Sequence, residues 1–168
     1  MVEIMGEEAF REGIRDYLRS YAFSNATWPE LIAILDRYTD EDLATFSHVW
    51  VHSKGMSRIE TSFADGTLVI TQHDPLDRGL CWRQSFNCRA IAADGTHSDI
   101  EVCMTDHSYS YAIAENTIAV VPNSDGRGYA LFLPDANSLE WLLANISTLD
   151  EDVTRLAAAI TLNECYEW

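Results

Sequence analysis

The chain has 168 residues, with 11 Lys plus Arg against 27 Asp plus Glu, a formal net charge of −16, and 47% hydrophobic residues. That apolar share supports a packed core rather than a disordered chain, and the acidity repels phosphate backbones and anionic lipid heads, so neither nucleic acid nor a membrane surface is expected as a partner. No run approaches the roughly 18 apolar residues of a membrane helix, and the acidic start Met1–Glu8 lacks the basic and apolar stretches of a signal peptide, which reads as a cytoplasmic or periplasmic protein or as a piece of a longer one.

The first third follows a helical period. Phe10, Ile14, Tyr17, Leu18 and Tyr21 recur on one face, with Glu7, Glu8, Arg11, Glu12, Arg15 and Arg19 around the rest. Thr27-Trp28-Pro29-Glu30 is a capping box, with Thr27 as N-cap, Pro29 in the first turn and Glu30 at the reciprocating position. It opens a helix carrying Leu31, Ile32, Ile34 and Leu35. Thr39 with Asp42 repeats the signal before Leu43, Phe46, Val49 and Trp50, and Lys54-Gly55 reads as the stop.

The period then shortens to two. The runs 58–63, 67–72, 82–91, 98–104, 108–113 and 117–121 read as strands, with Asp65-Gly66 and Asp94-Gly95 as turns between them. Ile100, Val102 and Met104 alternate with Asp99, Glu101 and Cys103, and Tyr109, Tyr111 and Ile113 alternate with Ser108, Ser110 and Ala112, which predicts sheets with one buried face. Strands this close, with no helices between them, predict an antiparallel sandwich. The stretch 123–128 is a loop, and 129–133 is one more candidate strand. After Pro134 the helical period returns: Leu139, Leu142, Leu143 and Ile146 form a stripe, and Asp150-Glu151-Asp152 opens a helix through Val153, Leu156, Ala157, Ile160 and Cys165 toward Trp168. That last helix is apolar or small around much of its girth, so cover on several sides is expected. The fold class is therefore α+β: N-terminal helices, a central antiparallel β-sandwich and C-terminal α-helices.

The chemistry-bearing residues form no recognised constellation. His48 and His52 have the i, i+4 spacing of a zinc-binding helix pair, but His48-Val49-Trp50-Val51-His52 lacks the Glu base of H-E-x-x-H and no third ligand is placed. His73-Asp74 and Asp106-His107 resemble fragments of a triad without a nucleophile elbow, and His73, His97 and His107 read as surface imidazoles. The 123–128 loop lacks the G-x-G-x-x-G pattern and the βαβ setting of a phosphate site. Cys81, Cys88, Cys103 and Cys165 show no C-x-x-C pairing and read as free thiols; a Cys81–Cys88 bridge across a hairpin is the alternative in an oxidising compartment. Trp28, Trp50, Trp82, Trp141 and Trp168 read as packing residues, with a glycan platform as the sharper alternative. No catalytic, cofactor-binding or metal-ligating residue is assigned.

One family matches these elements in order. The stretch Gly6–Leu18 resembles the G-x-x-x-F-x-x-G-[LI]-x-x-Y-[LF] segment near the end of the catalytic domain of the aminopeptidase N family of zinc metallopeptidases. Asn25-Ala26-Thr27 followed by Leu31 is similar to its A-T-x-x-D-L, with Glu30 in place of the acid. Asp42-Leu43 and Trp50 resemble the helix before its G-x-P corner, which here reads Gly55-Met56-Ser57, with Ser57 replacing the proline. Thr71-Gln72 resembles the T-Q that ends a sandwich strand. Asn123–Tyr129 is similar to the strand entering the helical C-terminal domain, and Asp152–Arg155 to that domain's D-R-x-x-L region.

The resemblance implies three parts: residues 1–55 as the helical tail of a thermolysin-like catalytic domain, 56–128 as the β-sandwich domain, and 129–168 as a linking strand with the first helices of a superhelical domain. It implies a parent enzyme that removes N-terminal residues of peptides with zinc. The zinc motif, its further Glu ligand, the substrate-amine loop and the catalytic Tyr would lie upstream, so this segment itself is expected to hold no zinc and to meet peptide only within the full-length enzyme. Other domains of the parent are its expected partners, with self-association through exposed terminal helices when it is isolated. The alternative is a free-standing β-sandwich module that binds glycan or protein; an independent small hydrolase has least support.

Overall fold

The computed structural model describes residues 1–166; the expectation that the last helix reaches Trp168 concerns residues outside this range. The chain divides into two compact units, Met1–Lys54 and the remainder from Gly55.

The first unit is helical: α1 (Val2–Met5), α2 (Glu7–Ser20), α3 (Trp28–Leu35) and α4 (Leu43–Ser47). Met5, Ile32, Leu35 and Leu43 form its core, with Phe10 and Ile14 of α2 packed against them. The centre of the α2 face is Gly13, where a Cβ would stand 2.6 Å from Leu35 Cδ2. The absence of a side chain is what lets α2 and α3 approach. Leu18, assigned to the stripe from the sequence, is 62% exposed. It lies about 100° round the helix from Tyr17 and so falls past the edge of the buried face. The capping box forms as expected, the Glu30 carboxylate accepting from both the N–H and the hydroxyl of Thr27 at 2.7 Å. The next helix starts differently from its expected cap. Asp42, not Thr39, is the N-cap and accepts from the Thr45 N–H, while Thr39 Oγ1 accepts from the Glu41 N–H.

The second unit is a two-sheet sandwich with helices on it. The strands are β1 (Arg58–Ala64), β2 (Thr67–His73), β3 (Gln84–Ala92), β4 (His97–Met104), β5 (Ser108–Ala112), β6 (Thr117–Val121) and β7 (Leu131–Pro134). One sheet has the order β5-β2-β1-β7 and the other β4-β3-β6. The β1–β2 hairpin turns on Asp65 and Gly66, both at positive φ, the mirror-image turn whose twist matches the strands. Every pairing is antiparallel except β1 with β7. That pair is separated by the whole of the sandwich, so the chain has the length a parallel return needs. Ile59, Leu68, Ile70, Phe86, Val102, Met104 and Phe132 fill the space between the sheets, where the Phe86 and Phe132 rings meet edge to face at 5.1 Å.

Two helices follow, α5 (Ala136–Asn145) and α6 (Asp152–Tyr166). Leu142, Leu149 and Ala158 cover Ile91, Ala119 and Val121 on the outer face of the second sheet. The edge of β6 is closed by α5: the Val120 N–H donates to the buried Ser138 hydroxyl, which donates in turn to Asp135, the N-cap of α5. Leu143, expected in the α5 stripe, is 66% exposed because it sits one residue past buried Leu142.

Candidate functional site

The histidine pair that invited a metal search sits on an unusual turn. His48–His52 is π-helical, and its i→i+5 bonding removes the stacking of residues four apart that the sequence spacing assumed. Both histidines are exposed. They border a hollow of about 390 Å³ with Trp28 and Asp36, and the Trp28 indole donates to Ser47 Oγ at 2.7 Å. Among the described residues no three of His, Cys, Asp and Glu stand together where they could hold a metal ion.

The triad fragments resolve into backbone bracing. Asp74 is buried and accepts from the Leu76 N–H at 3.1 Å, the Arg78 N–H at 2.9 Å, and Arg78 Nε and Nη2 at 3.0 and 2.8 Å. The Arg78 guanidinium holds the Asp74 carboxyl well below the usual carboxylate range. Asp106 accepts from the backbone N–H of His107. His73 lies 3.7 Å from Glu60, and His97 and His107 are exposed. Sequence reading missed this turn; the Asp74-Pro75 pair, which favours turn initiation, is the signal that points to it.

The 123–128 loop is likewise self-braced. Asn123 Oδ1 accepts from the Gly128 N–H and its Nδ2 donates to the Gly128 carbonyl. Asp125 accepts from the Asn87 N–H and pairs with Arg127. A Cβ on Gly128 would fall 2.8 Å from Phe132 Cζ and 3.0 Å from Asn123 Oδ1, so this glycine serves close packing rather than a ligand. At the Gly55-Met56-Ser57 corner, Ser57 is fully buried and receives the Gln84 amide at 3.3 Å, while Gln84 Oε1 accepts the Tyr129 N–H at 2.8 Å.

All four cysteines are free thiols. Cys88 lies in the inter-sheet core and burial pushes it up to about 12; burial also raises Cys81 and Cys165. Burial thus leaves the thiols of Cys81, Cys88 and Cys165 unactivated as nucleophiles. Arg89, cross-strand from Asp99, is buried on the outer face of the second sheet. It binds Asp99 through Nε and Nη2 and reaches Glu151 at 2.9 Å, tying β3 and β4 to the start of α6. Asp99 first, then Glu151, raises the Arg89 pKa despite burial. Sequence reading missed this clamp, because 62 residues separate Arg89 from Glu151.

The feature that reaches outward is α6. Its buried residues are Thr154, Ala157, Ala158 and Thr161, an i, i+3, i+4, i+7 set of small side chains that lets the backbone settle close to the sandwich. Thr154 Oγ1 donates to the Ser124 carbonyl at 2.9 Å. Leu162 packs against the covered face of the second sheet, but three other large apolar residues are turned to solvent: Val153 is 54%, Leu156 63% and Ile160 51% exposed. They border a groove of about 400 Å³ with Tyr129 and Phe132. No charged residue falls on α6 at positions 156–163. The groove is bordered by these side chains together with the polar residues Asn123, Asp125, Thr161 and Glu164.

No protein-family model matches the chain. Aminopeptidase N of Lactobacillus delbrueckii subsp. lactis is 25% identical over 159 residues, 92% of this chain and 17% of that protein. Aminopeptidase N of Lactobacillus helveticus is 26% identical over 89% of this chain and 17% of its own length. That of Streptomyces lividans reaches 35% over 72 residues, 40% of this chain. The crystal structure of Legionella pneumophila aminopeptidase A in complex with aspartic acid shares the fold, with a TM-score of 0.63 and 14% identity over 96% of this chain and 20% of that one. The chain thus spans under a fifth of the length of the first of these relatives.

Proposed function

We propose that this chain, an aminopeptidase N-like segment, is a non-catalytic structural part of a zinc-dependent aminopeptidase, its β-sandwich positioning the catalytic and helical domains of the parent. The observation that carries the reading is the inverted burial of α6, which turns small residues to the sandwich and Val153, Leu156 and Ile160 outward. A helix so built is half of a contact. Similarity to a limited stretch of much longer aminopeptidases supports the same view. In this reading residues 1–55 close the catalytic domain, 56–128 form the sandwich domain and 129–168 begin the helical domain; zinc and peptide are bound by the parent, outside this segment.

The test is metal analysis after dialysis together with an aminoacyl-anilide assay on the 168-residue chain, beside the reading frame of the transcript that encodes it. No stoichiometric zinc, no turnover and an upstream H-E-x-x-H are expected. One tightly held zinc per chain, chelator-sensitive turnover, or a transcript without the motif would overturn the proposal.

A further inference from the structure

We draw no further inference here: the strongest candidate, the apolar groove between α6 and Tyr129, is an unpartnered face, and nothing in the structure shows what covers it beyond the domain contacts already proposed.

Discussion

Gln72 and Trp82 are joined as strand neighbours would be, although one side of the pair is a side chain. The Trp82 N–H donates to Gln72 Oε1 at 2.5 Å, and Gln72 Nε2 donates to the Trp82 carbonyl at 3.2 Å. Both residues are 2% exposed. The amide thus closes the loop that carries the chain from one sheet to the other, and Arg78, 5.9 Å from the Trp82 ring centre, lies over the same indole.

Replacing Gln72 with Leu keeps the volume but strands a buried donor and a buried acceptor of Trp82. Each unsatisfied group costs about 1–3 kcal/mol, so a loss of about 2–6 kcal/mol is expected. Denaturant melts followed by tryptophan fluorescence measure it. An unchanged midpoint would show that water replaces the amide at no cost.

Asp74 sets an acid limb to stability. Its pKa is depressed in the folded state, first by the Arg78 hydrogen bonds and then by backbone N–H groups. The folded state thus binds its proton less readily than the unfolded chain, whose carboxyl titrates near about 3.9. The stabilisation is complete above that value and fades as pH falls below it toward the folded pKa. Asp74→Asn is expected to lower stability at neutral pH and to flatten its fall below about pH 4. Melting temperatures between pH 2 and 7 check both; parallel curves for the two proteins would remove Asp74 from the acid response.

Gly128→Ala places a methyl group against Phe132, Asn123 and Phe86 at 2.8, 3.0 and 3.2 Å. Phe132 is held in turn by the inter-sheet core, so it has little room to yield. Overpacking of this kind costs about 1–3 kcal/mol. Calorimetry should show the loss, and a neutral substitution would mean that the loop moves aside.

The outward face of α6 should make the isolated chain associate as concentration rises, against the opposition of its −16 charge. Leu156→Glu, on a side chain 63% exposed, should return it to monomer without a loss of folding. Sedimentation velocity over a concentration series decides. A native chain that stays monomeric throughout would show that Leu156 does not drive contact.

The sandwich strands were legible because half-buried sheets impose alternation. Ile100, Val102 and Met104 face inward and Asp99, Glu101 and Cys103 outward, as their order implies. The Thr27–Glu30 box was legible because capping is local, needing only residues three apart. Helical stripes were read less sharply. Leu18 and Leu143 are apolar and near the stripe, but one residue turns a side chain about 100° away from the core, and hydrophobicity does not say which face is covered. The i, i+4 spacing of His48 and His52 presumes an α-pitch that the π-turn does not keep.

By itself, then, the sequence determined the order of helices, strands and helices, the β1–β2 hairpin and the Thr27–Glu30 cap, all of which follow from contacts between residues near in the chain. The parallel return of β7 onto β1, the Arg89 clamp to Glu151, the Gln72–Trp82 clasp and the outward turn of Leu156 were decided only in the tertiary structure. Each depends on which distant surfaces meet. A polar side chain gains by burial only when its partner arrives from another element, and a helix with both a small face and an apolar face can bury either, the closer backbone approach selecting the small one here.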